Sequence, residues 1–139
     1  MCAAGNAAVE WVLRSIVDMC PESARVCKTM FTDDVISSET VQAAFPKATH
    51  LLCTFLIIDL NITKVANKCK YAHAERLQTI LWSKVAHAIC VTDLQQTVRV
   101  LEDLRVPKPV AASLRYWFGK IEQWGGPYIR NHFTLNFKY

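Results

Sequence analysis

Residues 32–64 read TDDVISSETVQAAFPKATHLLCTFLIIDLNITK. The centre of this stretch, from Leu51 to Ile58, is almost wholly apolar, with Cys53 inside it and Asp59 and Asn61 at its far end. Such a run is too short to span a bilayer, which takes about 20 apolar residues, so it belongs to a packed interior. Polar and apolar residues do not alternate along it. That predicts a strand over 50–58 covered on both faces, as strands of parallel sheets are.

Working outward, residues 26–31 (VCKTMF) read as an earlier strand, because they are rich in apolar and β-branched residues, too few for a stable helix, and are stopped by Thr32, Asp33 and Asp34. Between the two strands, Ser37 and Ser38 are N-cap candidates for a helix over 39–45, which Pro46 closes. Strand, helix, strand is the βαβ arrangement and predicts adjacent parallel strands with a right-handed crossover. A helix over 7–20 precedes them, with Val9, Val12, Leu13, Ile16 and Val17 at helical spacing and Pro21 after its end.

Beyond Asp59 the pattern is helical. Four helices are expected between residues 60 and 125, the first over 60–70. Ala74, Leu77, Leu81, Val85 and Ile89 form the stripe of the second, and Leu94, Val98, Leu101 and Leu104 that of the third. Thr92 with Gln95 has capping-box form. Val110, Leu114, Trp117, Ile121 and Trp124 share a face of the fourth, and Gly125, Gly126 and Pro127 end it, leaving 127–139 as a tail. The organisation is thus an α/β segment over 1–59, a helical segment over 60–126 and the tail. Two strands cannot close a sheet, so further strands must come from chain segments outside this sequence or from a protein partner.

The chain has 139 residues, 52% of them hydrophobic, 20% charged, with a net charge of +4. That is one domain's worth of core and only a mild basic balance, compatible with a polyanionic partner but not diagnostic of one. The six cysteines, Cys2, Cys20, Cys27, Cys53, Cys69 and Cys90, include no Cys-x-x-Cys pair. They read as free thiols of a reducing compartment, mostly buried as small apolar side chains, rather than as a disulfide scaffold or a zinc site. No segment suggests a signal peptide or a membrane partner.

Asp33 and Asp34 fall at the carboxyl end of the first strand, the edge where open α/β sheets bind ligands. Carboxylates placed there can hold magnesium or manganese, and they equally serve as turn residues that start the next helix. Asp59 allows the same two readings at the end of the second strand. His50, His73, His87 and His132 are dispersed, no phosphate-cradling glycine loop occurs, and Trp82, Trp117, Phe118 and Trp124 read as core.

The words FTDD, AFPKATHLLCTF and NITK resemble the transposase domain of Mutator-like elements, the MULE family. Its members read hydrophobic-Thr-Asp, a short helix, F-P-x-A-x-H-x-L-C-x-x-H, then Asn and basic residues. VEWVLRSI and FGKIEQWGGPYIRNHFT extend the likeness more loosely over most of the chain. The resemblance implies an α/β, ribonuclease H-like fold, present here as an incomplete piece of two parallel strands with flanking helices, followed by an all-helical segment. It implies DNA cutting and joining by two divalent metals, Mg or Mn, held by an Asp, Asp, Glu triad. On that pattern Asp33 is the second acid and a metal ligand, with Asp34 beside it as a further candidate. DNA is the implied partner, with Lys64, Lys68 and Lys70 as candidate contacts, and the nucleus the implied location.

Three departures point to a catalytically silent portion of such an enzyme. The family's first aspartate belongs on a strand before Met1, and its glutamate on a helix beyond Tyr139. Its Cys-x-x-His is here Cys53, Thr54, Phe55 and Leu56, with leucine in the histidine position. No metal is expected on the chain as it stands. The alternative is a helical protein- or DNA-interaction module, derived from a transposase and scaffolded by the α/β piece.

Overall fold

The computed structural model describes residues 3–134. They divide into two compact units, with the boundary between Cys53 and Thr54. The first is a small α/β piece and the second is helical.

The first unit runs α1 (Ala3–Met19), α2 (Glu22–Val26), β1 (Thr29–Thr32), α3 (Ser38–Ala44) and β2 (Thr49–Leu52). β1 and β2 pair in parallel, Thr29 opposite Thr49 and Thr32 opposite Leu52, as the βαβ pattern predicts. The Thr49 N–H donates to the Lys28 carbonyl at 2.8 Å and the Cys53 N–H to the Thr32 carbonyl at 2.9 Å, so the ladder reaches one residue beyond these pairs at both ends. Val41, Leu51 and Leu52 are buried in this unit, and Ala44, Phe45 and Ala48 form a core cluster with Leu13 and Val17 of α1, Cys27 and Met30 packed against it.

Both strands are shorter than expected. Val26 ends α2 instead of opening β1, because Glu22 in the first turn and Arg25 in the last complement the helix dipole of that short segment. The second strand stops at Leu52, and the apolar run continues as α4 (Thr54–Ile57) and a π-helical turn, Ile58–Ile62. A short apolar run looks alike as a doubly covered strand and as a buried helix. Ile57, Ile58 and Ile62 are fully buried at helical spacing, and that burial decides in favour of helix.

The second unit continues with α5 (Thr63–Lys68), α6 (Ala74–Ile80) extended by a π-helical turn (Leu81–Ala86), α7 (Val91–Asp103), α8 (Lys108–Phe118), a 3-10 turn (Ile121–Gln123) and α9 (Gly126–Thr134). Its core gathers Ile58, Ile62, Leu77, Leu81, Val85, Val110, Leu114, Trp117 and Trp124. Trp124 is fully buried, its Nε1–H donates to the Trp117 carbonyl at 2.7 Å, and its ring lies 5.8 Å from that of Phe118.

Two helix ends differ from the sequence reading. α7 is capped at Cys90, not Thr92, and the box partner is Asp93, whose carboxylate accepts the Cys90 N–H at 3.3 Å. A charged acceptor at a helix N-terminus outcompetes the neutral Gln95. The expected tail is helical as far as Thr134, while 135–139 lie outside the described residues. Pro127 stops the preceding helix but has the fixed φ that suits a first helical turn. Gly126 lets that turn approach the chain, since a Cβ there would meet the Ala88 and Ala86 carbonyl oxygens at 2.5 and 2.7 Å.

The described cysteines are all free, but contrary to the expectation of buried thiols none is fully buried. Cys20 follows α1 and Cys90 caps α7, and both are exposed because chain ends of helices face solvent. Cys2 lies outside the described residues. Among the described residues no helix is long and apolar enough to cross a membrane.

Candidate functional site

The register of the sheet brings together residues that lie far apart in sequence. Met30 pairs with His50, and Thr32 with Leu52, so the period-two alternation of strands puts all four on one face. Thr32 is then the diagonal neighbour of His50. His50 is buried, and its Nε2 lies 2.6 Å from the Thr32 hydroxyl while its Nδ1 lies 2.7 Å from the hydroxyl of Ser38, in the first turn of α3.

The donor count orders this network. The Thr32 hydroxyl donates to the Asp33 carbonyl at 2.8 Å, so it accepts from the ring. In that arrangement Nε2 carries a proton, and Nδ1 lies within hydrogen-bond distance of the Ser38 hydroxyl. An imidazole with both nitrogens engaged thus ties the end of β1 to β2 and to α3. Ser38, expected as a cap, takes this role because Ser37 is the N-cap of α3, accepting the Thr40 N–H at 3.2 Å.

The loop that leaves β1 is also held. Asp33 Oδ1 accepts the Val35 N–H at 2.9 Å, an Asx turn that folds the aspartate back over its own backbone. Asn6 of α1 clamps the other side. Its amide donates to the Val35 carbonyl at 3.1 Å, and its oxygen accepts from the Ser37 N–H at 3.0 Å and from the Thr40 hydroxyl at 3.1 Å. Nothing in the helical spacing of α1 singles out Asn6, since a polar residue near a helix start reads as solvated.

Asp33 is exposed at the carboxyl end of the sheet and Asp34 beside it is half-buried. A two-metal centre needs several oxygen ligands for each ion in fixed geometry. Among the described residues no three His, Cys, Asp or Glu side chains converge, and one Asp33 oxygen is already engaged. This donor set does not fit the pair of Mg or Mn ions that the resemblance implies. Cys53, half-buried, closes the strand ladder with its N–H, and Leu56 lies in α4. Asp59 is a structural acceptor: Gln78 Nε2 and Trp82 Nε1 both donate to its Oδ1 at 2.8 Å.

The candidate lysines belong to the second unit. Lys64 and Lys68 are exposed, one turn apart on α5, and Lys68 in the last turn suits the negative end of the helix. Lys70 has a left-handed backbone, φ 54°, and is the αL residue of a Schellman motif. Its N–H donates to the Asn67 carbonyl and that of Tyr71 to the Ala66 carbonyl, both at 3.0 Å. The two units also differ in charge: four basic against six acidic residues in the first, net −2, and twelve against six in the second, net +6.

Comparison of the chain with protein-family models, with curated proteins and with solved structures finds no match.

Proposed function

We propose that the chain is a portion of a MULE-type transposase catalytic domain, ribonuclease H-like in its first unit, and that by itself it does not cut DNA. One observation carries this reading. The two most specific words of the resemblance, hydrophobic-Thr-Asp and A-x-H-x-L-C, meet through their Thr32 and His50 side chains on adjacent parallel strands. Adjacent parallel strands with Asp33 at their carboxyl end are what this reading expects. In this reading the His50 clamp holds the end of β1, and Asp33 occupies the position of the family's second acid. A nuclear location accords with DNA as the family's substrate.

The test is plasmid nicking by the purified chain with Mg or Mn. The proposal predicts no cleavage, with no difference between the native chain and Asp33→Ala. Nicking that Asp33→Ala abolishes would show that the chain is an active nuclease.

The net charge of +6 on the helical unit favours a second reading, a transposase-derived module that binds DNA through phosphate contacts. If Lys64, Lys68 and Lys70 each neutralise a phosphate, the log affinity falls with log salt at a slope of about −3. Reversing Lys64 and Lys68 to Glu then flattens the slope, and no binding at low salt removes this reading.

A further inference from the structure

We propose that the exposed cations around the junction of α5, α7 and α8 form one contact surface for the phosphate backbone of a DNA duplex. The proposal rests on the DNA-binding reading of the helical unit and gives it a place, in which Arg105, Lys108 and Arg115 join Lys64, Lys68 and Lys70.

The basic residues are scattered in sequence, and the fold gathers them. Residues 60–74 and 104–118 contain no acid, and between them they carry these six of the unit's twelve Lys and Arg residues. α5 packs on α8. The Tyr71 hydroxyl donates to the Leu104 carbonyl at 2.8 Å, which fastens the end of α5 to the end of α7. Lys70 and Arg105 adjoin that bond in sequence, both exposed and both with a left-handed backbone, φ 54° and 49°. Lys68 lies in the last turn of α5, and Lys108 opens α8 three residues after Arg105. Lys64 shares a helix face with Lys68, four residues apart, and Arg115 shares one with Lys108, seven apart; all four are exposed.

Among the described residues none of the six side chains is held in an ion pair. Lys68 and Arg105 suit the negative helix ends that they adjoin, but Lys108 stands at a positive one. α8 has no side-chain cap and no acid in its first turn, so its N-terminus adds to the local positive potential. A cation at that end is unfavourable in the free chain and becomes favourable once an anion binds. Acids border the surface: Glu75 in the first turn of α6, and Glu102 and Asp103 at the end of α7. Glu102 lines one cleft with Arg105 and Arg115, so it repels a phosphate bound there.

No large apolar side chain of residues 61–88 or 101–115 is exposed. A protein partner needs apolar or aromatic anchors, whereas phosphate contacts need only donors and positive charge. A duplex carries one charge per about 1.7 Å of its axis, twice the density of one strand, so a surface that works by charge favours it.

The probe is a fluorescein-labelled duplex of about 20 base pairs, titrated with the full chain between about 50 and 200 mM salt and followed by anisotropy. Contacts from the three lysines of 60–74 alone give a log–log salt slope of about −3, and six contacts give about −5. Arg105→Asn/Lys108→Gln should flatten the slope by about 2 and weaken binding at low salt at least about tenfold; Asn tolerates the left-handed backbone at 105. Lys108→Gln/Arg115→Gln, both at exposed helix positions, should do the same. Glu102→Gln should tighten binding by about twofold or more. Arg76→Gln/Lys84→Gln removes equal charge from a different cleft of the unit and should leave the slope within about 0.5. Circular dichroism checks that each variant is folded.

Absence of binding at low salt overturns both this surface and the DNA-binding reading. A slope near −3 that the Arg105/Lys108 and Lys108/Arg115 variants leave unchanged overturns the surface alone. An equal flattening by the Arg76/Lys84 variant overturns it too, because net charge rather than a face would then hold the DNA. Tighter binding of a single strand than of the duplex overturns the choice of occupant.

Discussion

The two units hold together in different ways. Among the described residues six apolar side chains of the first unit are buried, against seventeen in the second. The first unit leaves Trp11, Met19 and Val26 largely exposed, at 71, 81 and 61%. It makes up for a thin core with specific polar links, the His50 clamp and the Asn6 clamp, in which the buried Thr40 and His50 groups all find partners. The second unit is packed around Trp124 and a belt of isoleucines and leucines, and it leaves the buried Thr63 hydroxyl without a hydrogen-bond partner. Apolar volume tolerates an idle hydroxyl that a two-stranded sheet could not.

This contrast can be broken by substitution. The largest loss is expected for Trp124→Ala, about 3–5 kcal/mol in the second unit, from lost volume and the lost indole hydrogen bond to the Trp117 carbonyl. Chemical denaturation followed by tryptophan fluorescence reads it, because Trp82, Trp117 and Trp124 all belong to that unit. His50→Ala should cost the first unit about 1–2 kcal/mol, as it removes the hydrogen bonds that link β2 to Thr32 of β1 and to Ser38 of α3. Amide exchange should then rise in β1, β2 and α3 while the second unit keeps its protection. Equal loss of protection in both units would mean that they are not separately held.

Smaller changes sharpen the contrast. Thr63→Val keeps the shape and removes the idle hydroxyl, so it should stabilise the second unit by about 1 kcal/mol; a loss instead would reveal a partner for that hydroxyl. Asp33→Ala removes only an exposed turn bond and should shift stability by less than about 1 kcal/mol, a change that thermal melting resolves.

The smallest effect concerns Asp93. The Cys90 thiol first, then the backbone N–H groups of Cys90 and Ile89, hold its carboxyl below the ordinary value of 3.8. A depressed carboxylate stabilises the fold above its unfolded value and loses that contribution as pH falls through the folded one. The first turn of α7 should therefore fray only below about pH 3.8, and Asp93→Asn should remove this pH dependence from the local amide exchange.

The parallel strand pair was legible because turn residues bracket it: Thr32-Asp33-Asp34 after the first strand, Pro46 before the second. The extent of the second strand was not. The run from Thr54 to Ile62 has one composition and two physical outcomes, and only the burial of Ile57, Ile58 and Ile62 by the helices that follow selects between them. α9 was hidden because Gly125, Gly126 and Pro127 signal a stop as strongly as they signal a new helix that needs close approach. Of the site, Asp33 could be placed from its position after a strand. The roles of Ser38, His50 and Asn6 depend on sheet register and on the packing of α1, which no local pattern reports. Lys70 is a further case: its spacing reads as part of a basic patch, yet its backbone is committed to ending α5.

The most direct test of the transposase reading is to sequence the genomic DNA and transcript on both sides of this reading frame. The account predicts, upstream, coding sequence for a strand that ends in aspartate and, downstream, a helix that carries a glutamate, whether the frame is intact or decayed. Unrelated coding sequence on both sides would contradict it, and would leave the Thr32–His50 clamp as a structural device without that ancestry.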